Sequence, residues 1–199
     1  MAHIHTEPNQ HDITVSAYIV LYDDNEWKCL VHFHRKIHKL MQIGGHIELD
    51  ETPWQSIIHE LRDETGFMAD DVEVIQHVDD RLIEKEGITH PTPFSTSTYF
   101  VGNNHYHSDF AYGFIAKQQP SHVPAEDESD DLRWVTLTEL RHLVDSSEAL
   151  EDVYRIYAFL LKHLESYARV PAENYSLVKP TVQGVTYNHG APGANDAIL

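Results

Sequence analysis

The 199-residue sequence has a single cysteine, few basic residues and no long apolar run. The one cysteine, Cys29, excludes an intrachain disulfide framework and is typical of a reducing compartment. No stretch of roughly 18 apolar residues is present, and residues 1–10 lack the basic and apolar segments of a signal peptide. We therefore expect a soluble, cytoplasmic protein with no membrane partner.

Basic residues are scarce enough to limit the substrates. The chain has 14 Lys and Arg against 32 Asp and Glu, and its formal charge of −18 would repel a nucleic-acid backbone. Long nucleic acids are therefore excluded as partners. An acidic site can still bind an anionic small molecule when divalent cations lie between the two.

The length fits one domain with a real core and two polar ends. We expect a flexible N-terminal arm at residues 1–11, a folded domain at 12–167 and a C-terminal arm at 168–199. The last segment is rich in Pro, Gly, Asn and Ser and has no amphipathic period, so we expect it to be extended or disordered.

Within the domain, β-rich segments alternate with two helical patterns. The predicted strands cover 12–22, 27–34, 72–78, 96–101, 106–116 and 133–137, and the first two form a hairpin. The predicted helices cover 52–65 and 147–167. This order indicates the α/β (α+β) class, with a mixed sheet between helices.

The segment from Gly45 to Phe67, called the box here, has the most informative spacing. Its defined positions are, in order, Gly45, Glu51, His59, Glu60, Leu61, Asp63, Glu64, Gly66 and Phe67. Thr52 with Gln55 predicts a capping box at the start of the box helix, and Pro53 suits the first helical position. Gly66 predicts the end of the helix.

Two neighbouring faces of this helix have different character. Trp54, Ile57, Ile58 and Leu61 fall on one arc, which we expect to pack against the core. The three box acids, Glu60, Asp63 and Glu64, are related as i, i+3 and i+4 and fall on the next arc. Their oxygens can converge on Mg²⁺ or Mn²⁺, the hard cations that phosphoanhydride cleavage needs. The alternative is an acidic helix face that only contacts solvent.

The box resembles the signature of the Nudix hydrolase family. That pattern reads Gly, five residues, Glu, seven residues, Arg, Glu, aliphatic, one residue, Glu, Glu, one residue, Gly, aliphatic or aromatic. Seven of the nine defined positions agree here. His59 stands at the family's arginine and Asp63 at the first of its paired glutamates, so we expect a looser site or activity that depends more on pH.

The resemblance implies an α/β/α sandwich with a box helix and a long C-terminal helix. It implies Mg²⁺ or Mn²⁺ held by the box acids and the Gly44 carbonyl, with Glu51 bracing the site. The general base is Glu60 or Glu64 from the helix, or Glu126 or Glu128 from the loop before Trp134. The sequence does not choose among these acids.

Two further groups are candidates for substrate binding. Asp130, Asp131 and Trp134 resemble a family segment that grips a purine base, although a charged loop leading into a core tryptophan explains them as well. His105, His107 and Asp109 alternate on one face of a predicted strand and could line the cleft, bind a metal or remain solvated.

The sequence therefore predicts a hydrolase that cleaves a phosphoanhydride bond in a nucleoside diphosphate linked to another moiety. The alternative is a Nudix-fold module that binds ligand or regulates, with weakened catalysis. The expected partner is a small nucleotide-type molecule. Symmetric dimers are the commonest oligomers, and the family resemblance agrees, so we expect a homodimer.

Overall fold

The computed structural model of the protein describes residues 11–77, 89–102, 104–126, 129 and 131–175. Nearly all of the predicted N-terminal arm, the end of the predicted C-terminal arm, Glu128 and Asp130 lie outside the described residues. Among the residues that are described, no helix combines the length and the apolar character needed to cross a membrane.

Within the described residues, a sheet of nine strands forms the centre of the fold. The strands are β1 His11–Asp23, β2 Glu26–His34, β3 Lys39–Met41, β4 Ile43–His46, β5 Val72–Gln76, β6 Ser95–Gly102, β7 His105–Ala116, β8 Leu132–Thr136 and β9 Ala168–Pro171. The helices are α1 Pro53–Glu60, α2 Leu137–Asp145 and α3 Glu151–His163.

The strand order is β3-β2-β1-β7-β5-β9, and β4, β6 and β8 pair with β1, β7 and β2. Only β1 and β7 run parallel among the described pairs, so the sheet is mixed. The predicted hairpin of the first two strands is confirmed, with Val20 opposite Cys29.

Helices cover both faces of the sheet, each over its own core. On one face, Trp54, Ile57 and Leu61 from the box helix pack with Val15 and Phe114. On the other face, Leu140 from α2 and Val153, Tyr157 and Leu160 from α3 pack with Val20 and Ile115. Because β1 is covered on both sides, it reads as a nearly continuous apolar run. The predicted α/β/α sandwich is confirmed.

The box helix begins where its caps predict and ends in an unexpected geometry. Thr52 and Gln55 form the capping box, and Gly66 takes a left-handed conformation with φ 77°. Between them, α1 gives way to a π-helical turn at Leu61–Thr65. A single π turn within a helix changes the direction of the side chains around it and is frequent at functional sites.

Four other elements were not predicted from the sequence: β3, β4, β9 and α2. The three strands have 3 or 4 residues each, too few for a period to be visible. Helix α2 does carry a local signal, since Thr136 and Glu139 form a capping box at its start. The long predicted closing helix is shorter here, with α3 followed by a 3₁₀ turn at Leu164–Ser166.

The chain between 168 and 175 belongs to the packed structure. Strand β9 pairs with β5, and Tyr175 is buried against the box helix, where its carbonyl accepts a 3.1 Å hydrogen bond from Trp54 Nε1. These eight residues therefore extend the sheet and brace the box helix. The division of the chain into a domain and two arms otherwise stays a prediction.

Candidate functional site

The two glycines that precede the box helix lie directly against two of its acids. Glu64 Oε2 accepts a 2.9 Å hydrogen bond from the Gly44 backbone N–H. A Cβ added to Gly45 would overlap the Glu60 carboxylate, so this position needs glycine for close approach. Strand β4, which holds both glycines, pairs with β1 and thereby fixes them beside the box helix.

Glu64 is buried, with 7% of the residue exposed, and its second neighbour is His32. The distance from His32 Nδ1 to Glu64 Oε1 is 3.5 Å. Burial, with repulsion from His34, lowers the pKa of His32 to about 4, so this pair is a neutral imidazole beside a carboxylate at neutral pH. No local sequence signal indicates His32, because its proximity to Glu64 depends on where strand β2 lies in the fold.

His59, at the first departure from the family pattern, contacts two acids. Its Nδ1 lies 3.0 Å from Glu51 Oε1 and its Nε2 lies 2.8 Å from Asp63 Oδ2. The second contact joins the two departures to each other. A histidine ring has one nitrogen on each of two edges, whereas a guanidinium offers a five-donor fork, and both ring nitrogens of His59 face a carboxylate here.

Asp63 is held by a third group. Its other oxygen, Oδ1, lies 2.7 Å from Arg62 Nε. Burial acts to raise the pKa of Asp63, but the hydrogen bonds and charges of Arg62 and His59 outweigh it and lower that pKa. Both Asp63 oxygens therefore contact cationic or hydrogen-bonding side chains, which compete with a metal for them.

The three box acids do not form one tight set of ligand atoms. Within the described residues, only Asp12, His105 and His107 form a set of three or more His, Cys, Asp or Glu ligand atoms that all lie within 4.8 Å of one another. The π-helical turn supplies a physical reason, since it changes the angular relation that i, i+3 and i+4 have on an α-helix.

The acidic loop before β8 returns to the end of the box helix. The Ala125 N–H donates a 2.8 Å hydrogen bond to the Asp63 carbonyl, and the His122 N–H donates one of 3.2 Å to the Gly66 carbonyl. Glu126, one of the candidate bases, follows directly and is exposed. Glu128, the other candidate from this loop, is outside the described residues.

Of the next predicted group, Asp130, Asp131 and Trp134, the structure describes Asp131 and Trp134. Asp131 accepts two 2.7 Å hydrogen bonds from Arg133. Trp134 donates from Nε1 to Gln119 Oε1 at 2.9 Å, and its ring contacts Phe67 at the end of the box. Trp134 is therefore near the box helix, on the same face of the sheet.

The structure separates the third predicted group, His105, His107 and Asp109. Asp109 is buried and accepts 2.9 Å hydrogen bonds from Thr14 Oγ1 and Ser16 Oγ. Burial raises the pKa of Asp109, and the two hydroxyl hydrogen bonds oppose this effect.

The two histidines of that group instead meet Asp12 of β1. His105 Nε2 lies 3.0 Å and His107 Nε2 3.9 Å from Asp12 Oδ2, and His46 Nε2 from β4 lies 3.4 Å from the same atom. We call Asp12, His46, His105 and His107 the histidine cluster. Sequence reasoning missed Asp12 and His46, because strand register places Asp12 opposite His107 and Thr14 opposite His46.

Comparisons with known proteins agree with the fold and the box. The family model described as the NUDIX domain matches residues 12–155. A search of curated proteins found no match. Many solved structures are similar. A NUDIX-family hydrolase from Clostridium perfringens has TM-score 0.60 and 27% identity over 77% of this chain and 97% of its own.

Two other similar structures contain ligands. The NUDIX domain of Shewanella oneidensis NrtR, complexed with ADP ribose, has TM-score 0.57 and 16% identity over 78% of this chain and 89% of its own. A bifunctional NMN adenylyltransferase/ADP ribose pyrophosphatase from Francisella tularensis, complexed with AMP and a Mn ion, has TM-score 0.50 and 23% identity over 79% of this chain and 43% of its own. With the family model covering 12–155 and the box fixed against Gly44 and Gly45, the chain belongs to the Nudix hydrolase family.

Proposed function

We propose that the protein is a metal-dependent hydrolase that cleaves a phosphoanhydride bond in a nucleoside diphosphate linked to another moiety. The observation that carries this proposal is the contact of Glu64 with the Gly44 N–H and of Glu60 with Gly45. It brings two carboxylates of the box and a backbone loop together in a chain that belongs to the Nudix hydrolase family.

Glu60, Glu64 and the Gly44 carbonyl would hold Mg²⁺ or Mn²⁺. All are hard oxygen donors, which suit these ions, and a buried carboxylate such as Glu64 is costly unless a cation or hydrogen bonds compensate it. When bound, the ion supplies charge neutralisation at the phosphates and an activated water. The Mn ion in the Francisella tularensis structure supports this choice of metal.

Glu51, His59 and Asp63 brace the site in this proposal. His59 links Glu51, just before the helix, to Asp63 in the π-helical turn. This link holds the start of the helix in position relative to its last turn. Such positioning matters because a metal ligand or general base that is displaced by about an ångström loses much of its catalytic effect. Asp63 would be a further ligand, and Arg62 and His59 compete with the ion for its oxygens.

A general base is still needed to take a proton from the attacking water. Glu60 and Glu64 lie next to the glycines, and Glu126 and Glu128 belong to the loop that returns to the box. All four remain candidates. Replacing each by glutamine separates a base, which lowers kcat, from a residue that only binds substrate, which raises KM.

For substrate, we propose a nucleotide-type molecule whose base meets Trp134, Asp131 and Asp130. The ring of Trp134 lies beside Phe67 at the end of the box. ADP ribose bound to the Shewanella oneidensis NUDIX domain makes ADP-ribose a first substrate to test. For His105, His107 and Asp109, a role in substrate binding stays a prediction.

The experiment is product release with Mg²⁺ from dinucleoside polyphosphates, ADP-ribose, nicotinamide dinucleotides and oxidised nucleotides. We expect one class to be hydrolysed, and Glu60→Gln to lower kcat by about 100-fold or more. Glu165→Gln is the matched control, because the Glu165 side chain is 86% exposed and far from the glycines in sequence. Equal turnover by Glu60→Gln and Glu165→Gln would contradict the assignment of Glu60 to the catalytic site.

The second candidate function is a ligand-binding or regulatory module with weak catalysis. The observation that favours it is the engagement of Asp63 by His59 and Arg62, which competes with metal binding. Calorimetry that shows tight binding of ADP-ribose by a chain without turnover would support it. A rate gain well above tenfold in His59→Arg/Asp63→Glu would also support it, since that variant restores the family pattern.

A further inference from the structure

The histidine cluster brings three imidazoles from two strands to one carboxylate of a third. Asp12 belongs to β1, His46 to β4, and His105 and His107 to β7. All three Nε2 atoms surround one atom, Asp12 Oδ2, at 3.0, 3.4 and 3.9 Å. The rings of His46 and His105 lie 5.0 and 5.1 Å from that of His107.

We propose that this cluster is a zinc site, separate from the box, with Asp12, His105 and His107 as ligands and His46 as the fourth. Zinc takes His nitrogen and Asp oxygen at about 2.0–2.2 Å in tetrahedral geometry, which places the ligand atoms about 3.3–3.6 Å apart. Of the three distances to Asp12 Oδ2, 3.4 Å lies within that range, 3.0 Å lies below it and 3.9 Å lies above it. The ligand atoms of Asp12, His105 and His107 all lie within 4.8 Å of one another, and His46 would move toward them to become the fourth ligand.

The surroundings suit a bound cation that enters from solvent. The Asp12 side chain is 5% exposed, while those of His46, His105 and His107 are 28%, 18% and 19% exposed. The carboxylate is thus buried beneath a layer of imidazoles that solvent can reach.

The donor set also separates this site from the box. Three nitrogens and one oxygen suit zinc, whereas the carboxylates and carbonyl at the box suit Mg²⁺ or Mn²⁺. Asp12 and Val15 are an odd number of residues apart on β1, so their side chains face opposite sides of the sheet. Because Val15 packs on the box-helix side, the cluster lies on the other side. An ion here would tie β1, β4 and β7 together one residue from Gly45.

The test is a cobalt(II) titration of chelator-treated protein, followed by visible absorption. Tetrahedral cobalt bound by nitrogen gives far stronger bands than the octahedral oxygen coordination expected at the box. We expect one equivalent to produce these bands in the wild-type chain and zinc to displace it. In His105→Ala/His107→Ala we expect the bands to vanish and the zinc affinity to fall by about 100-fold or more.

Two control variants exclude other histidines. His142→Ala removes an exposed histidine of α2, and His3→Ala/His5→Ala removes the two that precede the described residues. Both should bind cobalt as the wild-type chain does. Bands that persist in His105→Ala/His107→Ala, or that vanish in His3→Ala/His5→Ala, would overturn the proposal.

A measurement on the wild-type chain does not depend on how the variants fold. X-ray absorption of the one-equivalent zinc complex should show imidazole scattering from about three rings and short zinc–nitrogen distances. A shell of oxygen ligands alone, or zinc binding no tighter than that of an unfolded chain, would overturn the site.

Discussion

The box site and the histidine cluster lie at neighbouring positions of one short strand, β4, yet they use different atoms. Gly44 and Gly45 bring backbone close to the Glu60 and Glu64 carboxylates, whereas His46 contributes a ring to Asp12. The box relies on residues close in sequence and the cluster on residues distant in sequence. Adjacent residues of a strand face opposite sides of the sheet, which allows one element to support both sites.

The largest expected effect on stability comes from replacing Gly44 rather than Gly45 by alanine. A Cβ at Gly44 would overlap the Val15 carbonyl at a φ of 145°, so Gly44→Ala forces the backbone to move. A Cβ at Gly45 meets only the end of the Glu60 side chain, which can rotate. We expect Gly44→Ala to cost about 2–4 kcal/mol of unfolding free energy, measured by urea denaturation.

Gly45→Ala is the matched comparison in the same assay. We expect a change of less than about 1 kcal/mol in stability but about a tenfold loss of Mg²⁺-dependent turnover, because Glu60 must leave its place. Equal stability losses in the two alanine variants would contradict the described position of Val15.

The next prediction concerns the buried histidine beside Glu64. Because the pKa of His32 is lowered from 6.5 to about 4, the unfolded chain binds this proton more readily than the folded chain. The associated stability is present above about pH 6.5 and is lost as the pH falls toward 4, at about 1.4 kcal/mol per unit. Between pH 7 and 5 we expect a loss of about 2 kcal/mol from this group.

Urea denaturation with a chelator present at both pH values measures this loss. His32→Asn should lose about 2 kcal/mol less than the wild-type chain over the same interval, and His142→Asn should match the wild-type chain. If His32→Asn keeps the full loss, His32 is not the group responsible.

A smaller effect is expected from the two departures in the box. Since His59 Nε2 and Asp63 Oδ2 lie 2.8 Å apart, they should act as a pair. We expect His59→Arg and Asp63→Glu each to lower kcat about tenfold, and the double variant to return close to the wild-type rate. Steady-state kinetics of all four chains give the coupling; additive losses would show that the residues act independently.

The smallest effect concerns the ion pair that holds Asp63. Arg62 is exposed, so Arg62→Ala should change stability by less than about 0.5 kcal/mol. It frees Asp63 Oδ1, and we expect Mn²⁺ affinity to rise about two- to threefold. The control is Arg169→Ala, which breaks another exposed pair. A fall in Mn²⁺ affinity in Arg62→Ala alone would mean that Arg62 orients Asp63 for binding.

Local signals in the sequence were enough to predict much of the fold and of the box. The capping residues Thr52 and Gln55 act within one turn, and Gly66 ends the helix without distant partners. The apolar face of the box helix follows from its period. These features depend on neighbours in the chain, so a single sequence contains them.

The other features depend on packing between distant segments. The residues of the π-helical turn at Leu61–Thr65 would also fit an α-helical turn. The surrounding structure decides which of the two conformations they adopt. The approach of His32 to Glu64, and of Asp12 to His107, follows from strand register, for which the sequence had no local signal. For that reason the sequence did not place Asp12 and His46 beside His105 and His107.

The most direct test of the box as a metal site is Mn²⁺ affinity measured by electron paramagnetic resonance, with one equivalent of zinc present. We predict that wild-type and Glu165→Gln chains bind Mn²⁺ equally and that Glu64→Gln binds at least about tenfold more weakly, because one charged ligand is lost. Equal Mn²⁺ affinity in all three chains would contradict the account that Glu64, held beside Gly44, binds the catalytic ion.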